Sequence, residues 1–307
     1  MHAATFFAAV FLMVAGAATA GAQGMRWGAG YIPNVTVVAQ DGRQLKFYDD
    51  IIKGRIVVVS FIYTSCKDIC PLVTGRLAMA RERLGPEVAK TIQFISVSID
   101  PENDTPEKLM QHAAAFGAGP DWLFLTGKRR DIDQIRYKLG ERSPVPNQHR
   151  SEILLGNEAT GEWARDSVFG DLGVLAANIQ SMDPIWRMEQ KNLATIPVKA
   201  ERAPGHQPGQ ALFLKLCATC HTIGKGDRVG PDLGGLFSRR DRTWVERYIS
   251  HPDKMRAAKD PDALELAARF PRIRMPNLAI SPSDAADLLV YLESNIATHL
   301  AKSGHKH

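Results

Sequence analysis

The chain is poor in cysteine, with four cysteines among 307 residues. So few cysteines exclude a small domain that is held together by disulfide bonds. Long apolar runs of the kind found in multi-span membrane proteins are also lacking. The 23% of charged and 45% of hydrophobic residues are close to the average for soluble globular proteins. At roughly 150 residues per domain, the length predicts about two domains with cores of ordinary size.

Long basic runs are lacking too. The 38 Lys and Arg residues are mixed with 33 Asp and Glu residues, and the formal net charge is +5. Binding of DNA or RNA needs positive charge that is clustered on one surface. The sequence also contains no phosphate-binding loop, nucleophile elbow or dinucleotide-binding fingerprint. We therefore expect no nucleic-acid partner.

The first 24 residues contain no Asp, Glu, Lys or Arg. Residues 3–18 form an apolar run, and small residues at positions 18–22 are typical of a signal-peptide cleavage site. We interpret residues 1–22 as a secretory signal peptide and expect a periplasmic or otherwise exported protein. The alternative is an uncleaved signal that keeps the protein at the membrane, although the run falls short of the roughly 20 residues of a spanning helix.

Residues 28–182 have the pattern of an α/β domain. Continuous apolar and β-branched runs at residues 55–63 and 92–99 predict buried strands, and residues 72–84 between them have helical composition. Thr105 is a suitable N-cap for the next helix. Strands that alternate with helices predict a mostly parallel or mixed sheet that is covered on both faces.

The rest of the chain has a different pattern. Residues 183–207 carry three prolines among polar residues and are interpreted as a linker. Residues 208–298 are predicted to be all-helical, since Ser281 begins a capping box and apolar residues follow it at helical spacing. The tail, residues 299–307, is predicted to be disordered. The predicted fold class is an α/β domain followed by an all-α domain.

Two of the cysteines form a CxxCH motif with Cys217, Cys220 and His221. Thiols at this spacing can add to the two vinyl groups of one haem, and the adjacent histidine can bind the iron. A zinc site needs four ligands, and no second cysteine pair follows at zinc spacing. A structural disulfide or a chance match is disfavoured, because the histidine completes a specific haem-attachment signature.

Residues 208–298 resemble the class I cytochromes c. Gly209 and Phe213 match the position on the first helix of that family at which the last helix crosses it, and Tyr291 matches the aromatic partner on the last helix. The resemblance covers about 90 residues. It implies a cytochrome c domain with a covalently bound haem c.

The same resemblance implies two further contacts with that haem. The carbonyl group of Pro231 would accept the ring N–H of His221, which orients the proximal ligand. Met275, shortly before the last helix, would be the second axial ligand of the iron, and His/Met ligation raises the reduction potential. Met255 and His251 are the alternatives for this ligand.

The other two cysteines, Cys66 and Cys70, stand between a predicted strand and a predicted helix. A pair spaced by four residues at the start of a helix places both sulfur atoms on one side, where the helix N-terminus stabilises a thiolate. Two soft thiolates suit Cu(I), a dithiol–disulfide couple or both. The motif alone leaves these open, because thioredoxin-like redox motifs have two intervening residues and this motif has three.

The neighbouring sequence resembles the Sco/SenC family of copper chaperones, which help to build the copper centre of cytochrome c oxidase. The resemblance is carried by residues 61–66 (FIYTSC) and 99–106 (IDPENDTP) and extends over roughly residues 28–182. It implies a thioredoxin-like fold. It also implies that His149, ahead of a predicted hairpin, is the third copper ligand beside the two cysteines.

Together the two resemblances predict an exported, haem-containing Sco-like protein. Copper binding, thiol–disulfide exchange or both would serve the assembly of the oxidase copper centre, and the haem would supply or accept electrons. The expected partner is a cytochrome oxidase subunit or another respiratory redox protein. The alternatives are a copper-independent thiol–disulfide oxidoreductase or redox sensor, and an electron carrier to a terminal oxidase.

Overall fold

A computed structural model describes residues 27–66, 69–145, 151–193, 209–271 and 273–303. Within these ranges, no helix combines the length and the apolar character that crossing a membrane requires. The predicted signal peptide and His149 lie outside the described residues.

The N-terminal region is built on a mixed sheet. Its strands are β1 Thr36–Ala39, β2 Gln44–Lys46, β3 Ile56–Ile62, β4 Ile92–Ser98, β5 Leu123–Gly127, β6 Glu152–Asn157 and β7 Glu162–Ser167. Their spatial order is β2-β1-β5-β4-β3-β6-β7. The central pairs β3–β4 and β4–β5 are parallel, and the outer pairs are antiparallel. The predicted mixed sheet is confirmed.

Helices cover both faces of this sheet. The helices of this region are a π-helix Phe47–Ile52, α1 Ile69–Leu84, α2 Pro86–Thr91, α3 Pro106–Ala115, α4 Arg129–Lys138, α5 Leu172–Gln180 and α6 Pro184–Leu193. Successive residues of β3 point to opposite faces, so that Val58 packs with α1, α3 and α5 whereas Val57 packs with the π-helix and α4. Burial of both faces explains why β3 and β4 are mostly apolar, and the buried hydroxyl groups of Ser60 and Ser96 are hydrogen-bonded to each other at 2.9 Å.

In the C-terminal region, all regular elements of the described residues are helices. These are α7 Gln210–Leu212, a π-helix Phe213–Cys217 that continues it, α8 Leu236–Arg239, α9 Arg242–Ser250, α10 Pro252–Ala257, α11 Pro261–Arg269 and α12 Pro282–Ser303. Ser281 caps α12 by accepting the backbone N–H of Asp284 at 3.1 Å. The fold class predicted from the sequence, α/β followed by all-α, is confirmed.

Two parts of the chain are more regular than the sequence predicts. The predicted linker begins with α6, whose first turn is fixed by the Ile185 N–H that donates to the Asp183 carboxylate at 2.8 Å. Arg187 ties this helix to Glu162 of β7 at 2.7 Å. Helix α12 continues to Ser303, five residues into the tail that is predicted to be disordered, and no Gly or Pro interrupts it between Pro282 and Gly304.

The first and last helices of the C-terminal region cross in close contact. Gly209 has φ of +79°, and a Cβ atom built there would lie 2.2 Å from the carbonyl oxygen of Asp287 on α12. One turn further along, the rings of Phe213 and Tyr291 are 5.3 Å apart between centroids. A side chain at position 209 would therefore separate the two helices.

Gly209→Ala is expected to lower the free energy of unfolding of the helical region by more than about 1 kcal/mol, because it adds a steric clash to an unfavourable φ. Denaturant-dependent hydrogen exchange of the α12 amides measures this loss. Gly226→Ala is the matched control, since Gly226 has φ of +86° but has nothing within 4 Å of a built Cβ atom. Equal losses in the two variants would contradict the close crossing.

Candidate metal centres

Cys66 and Cys70 lie at the junction between β3 and α1 and are both buried. The backbone N–H of Cys70 donates to Sγ of Cys66 at 3.3 Å, and no disulfide bond joins these two residues. Burial raises the pKa of the Cys70 thiol, and a side-chain hydrogen bond with Cys66 raises it further. Burial therefore opposes the thiolate that the helix N-terminus would stabilise at Cys70. A metal ion that binds both sulfur atoms must displace their protons.

A buried carboxylate fixes the segment before Cys66. Asp104 accepts the backbone N–H of Thr64 at 3.1 Å, the Thr64 hydroxyl, and the hydroxyl of Ser98 at 2.6 Å. Burial raises the pKa of Asp104, although these hydrogen bonds act in the opposite direction. Asp104 thereby holds Thr64, two residues before Cys66, next to Ser98 at the end of β4.

A second buried group, His112 of α3, connects to the dithiol from inside the core. Thr74 donates its single hydroxyl proton to the carbonyl oxygen of Cys70 at 3.0 Å. Nε2 of His112 is 3.0 Å from the same hydroxyl group, and it is the donor in this contact because the hydroxyl proton is already used. Burial lowers the pKa of His112 to about 4. Sequence reasoning missed this residue; the available signal was its position on the apolar face of α3, three residues after Leu109.

The predicted third copper ligand, His149, lies outside the described residues. In the described ranges, no group of three His, Cys, Asp or Glu side chains has an arrangement suited to a metal ion. Cys66 and Cys70 supply two adjacent sulfur donors, and His149 lies outside those ranges. His149 therefore stays a prediction.

The C-terminal region encloses a cavity of about 760 Å³, which is in the size range of cofactor sites. Cys217, His221 and Met275 all line it. Cys220 lines a smaller adjoining cavity together with the same three residues. Two thiols, an imidazole and a thioether are thus brought to one place, and this donor set fits a covalently attached haem with two axial ligands.

The orientation of His221 is set by its neighbours. Nδ1 of His221 is 2.8 Å from the carbonyl oxygen of Pro231, to which it donates. This bond fixes the tautomer and leaves Nε2 as the atom that can bind iron. Gly230 permits the close approach, because a Cβ atom there would lie 2.8 Å from Cε1 of His221. The contact with Pro231 that the resemblance implies is present.

The loop after His221 is organised by one carboxylate. Asp232 accepts the backbone N–H groups of Gly224, Gly226 and Gly234 and the hydroxyl of Thr222. Burial acts to raise its pKa, but these hydrogen bonds outweigh burial and lower the pKa of Asp232 to about 2. The ionised side chain therefore holds the loop that forms one wall of the cavity.

Met275 is better placed than the alternative ligands. It lines the cavity, and its carbonyl oxygen accepts a hydrogen bond from Nη1 of Arg256 at 3.2 Å. Met255 is buried beside Trp244 in the packing between helices, and His251 is exposed. Neither of these two residues lines the cavity.

Comparison with known proteins divides the chain in the same way. The family model described as SCO1/SenC matches residues 30–151, and the Cytochrome c model matches residues 206–295. The SCO1 protein homolog of Bacillus subtilis is 35% identical over 101 residues, which are 32% of this chain and 51% of that protein. The chain thus spans about half the length of the curated SCO relatives that it matches.

Two further similarities complete the comparison. Cytochrome c of Guizotia abyssinica is 32% identical over 98 residues, which are 29% of this chain and 88% of that protein. The structure of Bradyrhizobium japonicum ScoI with copper bound is 21% identical, covers 48% of this chain and 96% of that chain, and has a TM-score of 0.41.

His112 generates a prediction about pH. Its pKa is about 4 in the folded protein and 6.5 in the unfolded chain, so the unfolded chain binds more protons between these values. The contribution of neutral His112 to the free energy of unfolding is fully present above pH 6.5. It falls as the pH is lowered towards 4, by up to roughly 3 kcal/mol. His112→Gln, which keeps an N–H donor, is expected to remove this part of the acid sensitivity in denaturant titrations. The exposed-histidine control is His251→Gln; the same reduction in that variant would contradict the assignment.

Met275 generates a prediction about the haem. Met275→Leu preserves an apolar side chain but removes the sulfur, so we expect an altered ferric haem spectrum and a lower reduction potential. Absorption spectroscopy and a redox titration of the matured protein measure both changes. Met255→Leu is the matched control and is expected to keep the wild-type spectrum. An unchanged spectrum in Met275→Leu would remove the assignment.

Proposed function

We propose that this chain is an exported haem-containing copper protein for the assembly of the copper centre of cytochrome c oxidase. It belongs to the SCO1/SenC family over residues 30–151 and to the cytochrome c family over residues 206–295. One observation carries the proposal: the four cysteines form two chemically different sites, a buried dithiol and a cavity with haem-binding side chains.

The dithiol is proposed to bind copper. Cys66 and Cys70 would supply two thiolates and His149 an imidazole, a soft donor set that suits Cu(I). Two hydrogen bonds support this role: Asp104 holds Thr64, two residues before Cys66, and the backbone N–H of Cys70 holds Sγ of Cys66 at the start of α1. A site that is held in place before the metal arrives loses less conformational freedom on binding.

The cavity is proposed to bind haem c through thioether bonds to Cys217 and Cys220, with His221 and Met275 as axial ligands. A bound haem c supplies one-electron transfer. Oxidation of copper at the dithiol is also a one-electron step. Reduction of a Cys66–Cys70 disulfide breaks one S–S bond and takes two electrons and two protons, so it needs two successive deliveries and a respiratory redox partner as the source of electrons.

Export and partner choice follow from the same proposal. The signal-like residues 1–22 would direct the chain to the periplasm, and an uncleaved signal would keep it at the membrane. The partner would be a cytochrome oxidase subunit or another respiratory redox protein. A copper-independent thiol–disulfide oxidoreductase is the second candidate, since the backbone N–H of Cys70 contacts Sγ of Cys66 and the two cysteines therefore lie close together.

Copper binding separates the two candidates. We expect the full chain, produced together with a haem-maturation system and reduced, to retain one Cu(I) in competition with a chelator. The double variant Cys66→Ser/Cys70→Ser should retain none, because it lacks both sulfur donors. His149→Ala should weaken binding by at least about tenfold through loss of a ligand.

His251→Ala is the control for the histidine and should bind copper as the wild type does. Wild-type protein that retains no copper under these conditions would refute the copper role and leave the oxidoreductase. Equal affinity in the wild type and His149→Ala would refute the three-ligand site. Metal analysis that finds no covalently bound haem iron would refute the cytochrome role.

A further inference from the structure

One face of α1 is turned towards the haem-attachment segment, residues 214–219. Gly75, Arg76 and Met79 stand three, four and seven residues after Leu72, so the four residues lie on one side of the helix. We call these four residues the docking face. Other residues of α1 point into the core beneath the sheet. The helix is thus packed between the two regions of the chain.

The closest contact of the docking face is between Gly75 and Thr219. Thr219 stands between the two haem-attachment cysteines and is 2% exposed. A Cβ atom on Gly75 would lie 1.8 Å from Cγ2 of Thr219, so no larger residue fits without separation of the two surfaces. The Thr219 hydroxyl also donates to Sδ of Met79 at 3.7 Å. Glycine destabilises a helix interior, and this contact is a physical reason for its presence.

Arg76 joins the two regions through their main chains. Its Nη1 donates to the carbonyl oxygens of Leu214 at 3.2 Å and Lys215 at 2.8 Å, in the π-helix that carries Cys217. Its Nε and Nη2 donate to the carbonyl oxygens of Val168 and Gly170 in the N-terminal region. A buried guanidinium whose donors are shared between two regions fixes the orientation of one to the other.

The docking face also forms part of the wall around the candidate haem site. Leu72 lines the smaller cavity together with Cys217, Cys220 and Met275. Leu72 is only two residues after Cys70, and Gly75 is five residues after it, which corresponds to about 7.5 Å along the helix axis. The dithiol at the start of α1 is therefore close to the edge of the haem cavity.

From these contacts we propose that the docking face of α1 is the surface across which the dithiol centre and the haem exchange electrons within one molecule. The identity of the two redox centres rests on the proposed function. In the exchange, Cu(II) at Cys66 and Cys70 takes one electron from the ferrous haem and becomes Cu(I), and the haem iron becomes ferric; no proton is transferred. The fixed contact replaces an encounter between tethered domains, whose frequency would depend on the linker.

The test uses the full chain with attached haem and one bound copper ion, and two variants that disturb the contact from opposite sides. Gly75→Leu inserts a side chain from α1, and Thr219→Arg inserts one from the haem-attachment segment. Each is expected to raise the hydrogen-exchange rate of amides in residues 214–219 about tenfold or more, because overpacking shifts the balance towards the separated state. After a light-driven reductant has reduced the haem, its reoxidation by Cu(II) should slow by a similar factor.

Arg83→Met is the matched control, since Arg83 is exposed on α1 one turn beyond the docking face. It should keep both rates. The proposal would be overturned if both contact variants kept the amide exchange and haem reoxidation rates of the wild type. It would also be overturned if amide exchange became faster while the rate of haem reoxidation stayed unchanged. If Gly75→Leu does not fold, Thr219→Arg decides. Wild-type protein without copper would refute the proposed function and the electron exchange with it, whereas the amide exchange rates would still decide the docking.

Discussion

Helix α1 is packed on both sides, and this constraint connects every candidate site of the molecule. Its inner side lies in the core through Val73 and Leu77, and its outer side contacts Thr219. Its first turn carries Cys70, whose carbonyl group is linked through Thr74 to His112. A helix held in this way cannot rotate or shift without disturbing the dithiol, the core and the haem cavity together.

The parts that the sequence predicted are those with strong local signals. The long apolar strands β3 and β4 and the capped helices α3 and α12 were recognisable because burial and capping leave a pattern within a few residues. The crossing of Phe213 and Tyr291 and the contact between His221 and Pro231 followed from a resemblance, since 10 to 78 residues separate these partners. No local pattern joins them.

The parts that were missed depend on partners distant in sequence. Strands β1, β2 and β5 have only three to five residues and acquire their identity by pairing with neighbours. Gly75 interrupts a helical pattern, which indicates a close approach, but nothing in the sequence says that Thr219 is the neighbour. Burial raises the pKa of the Cys70 thiol, and depth of burial cannot be read from the sequence, whereas the position of Cys70 at a helix N-terminus can.

Arg76 has a consequence for how such a chain can be divided. If the chain were cut between residues 194 and 208, the N-terminal part would keep the guanidinium and lose the Leu214 and Lys215 carbonyl groups that accept its protons. The C-terminal part would present Thr219 to water without the cleft that receives it. Each half is therefore complementary to its own partner, and another cytochrome could replace the C-terminal half only if it offered the same two carbonyl groups and an equally small side chain beside Gly75.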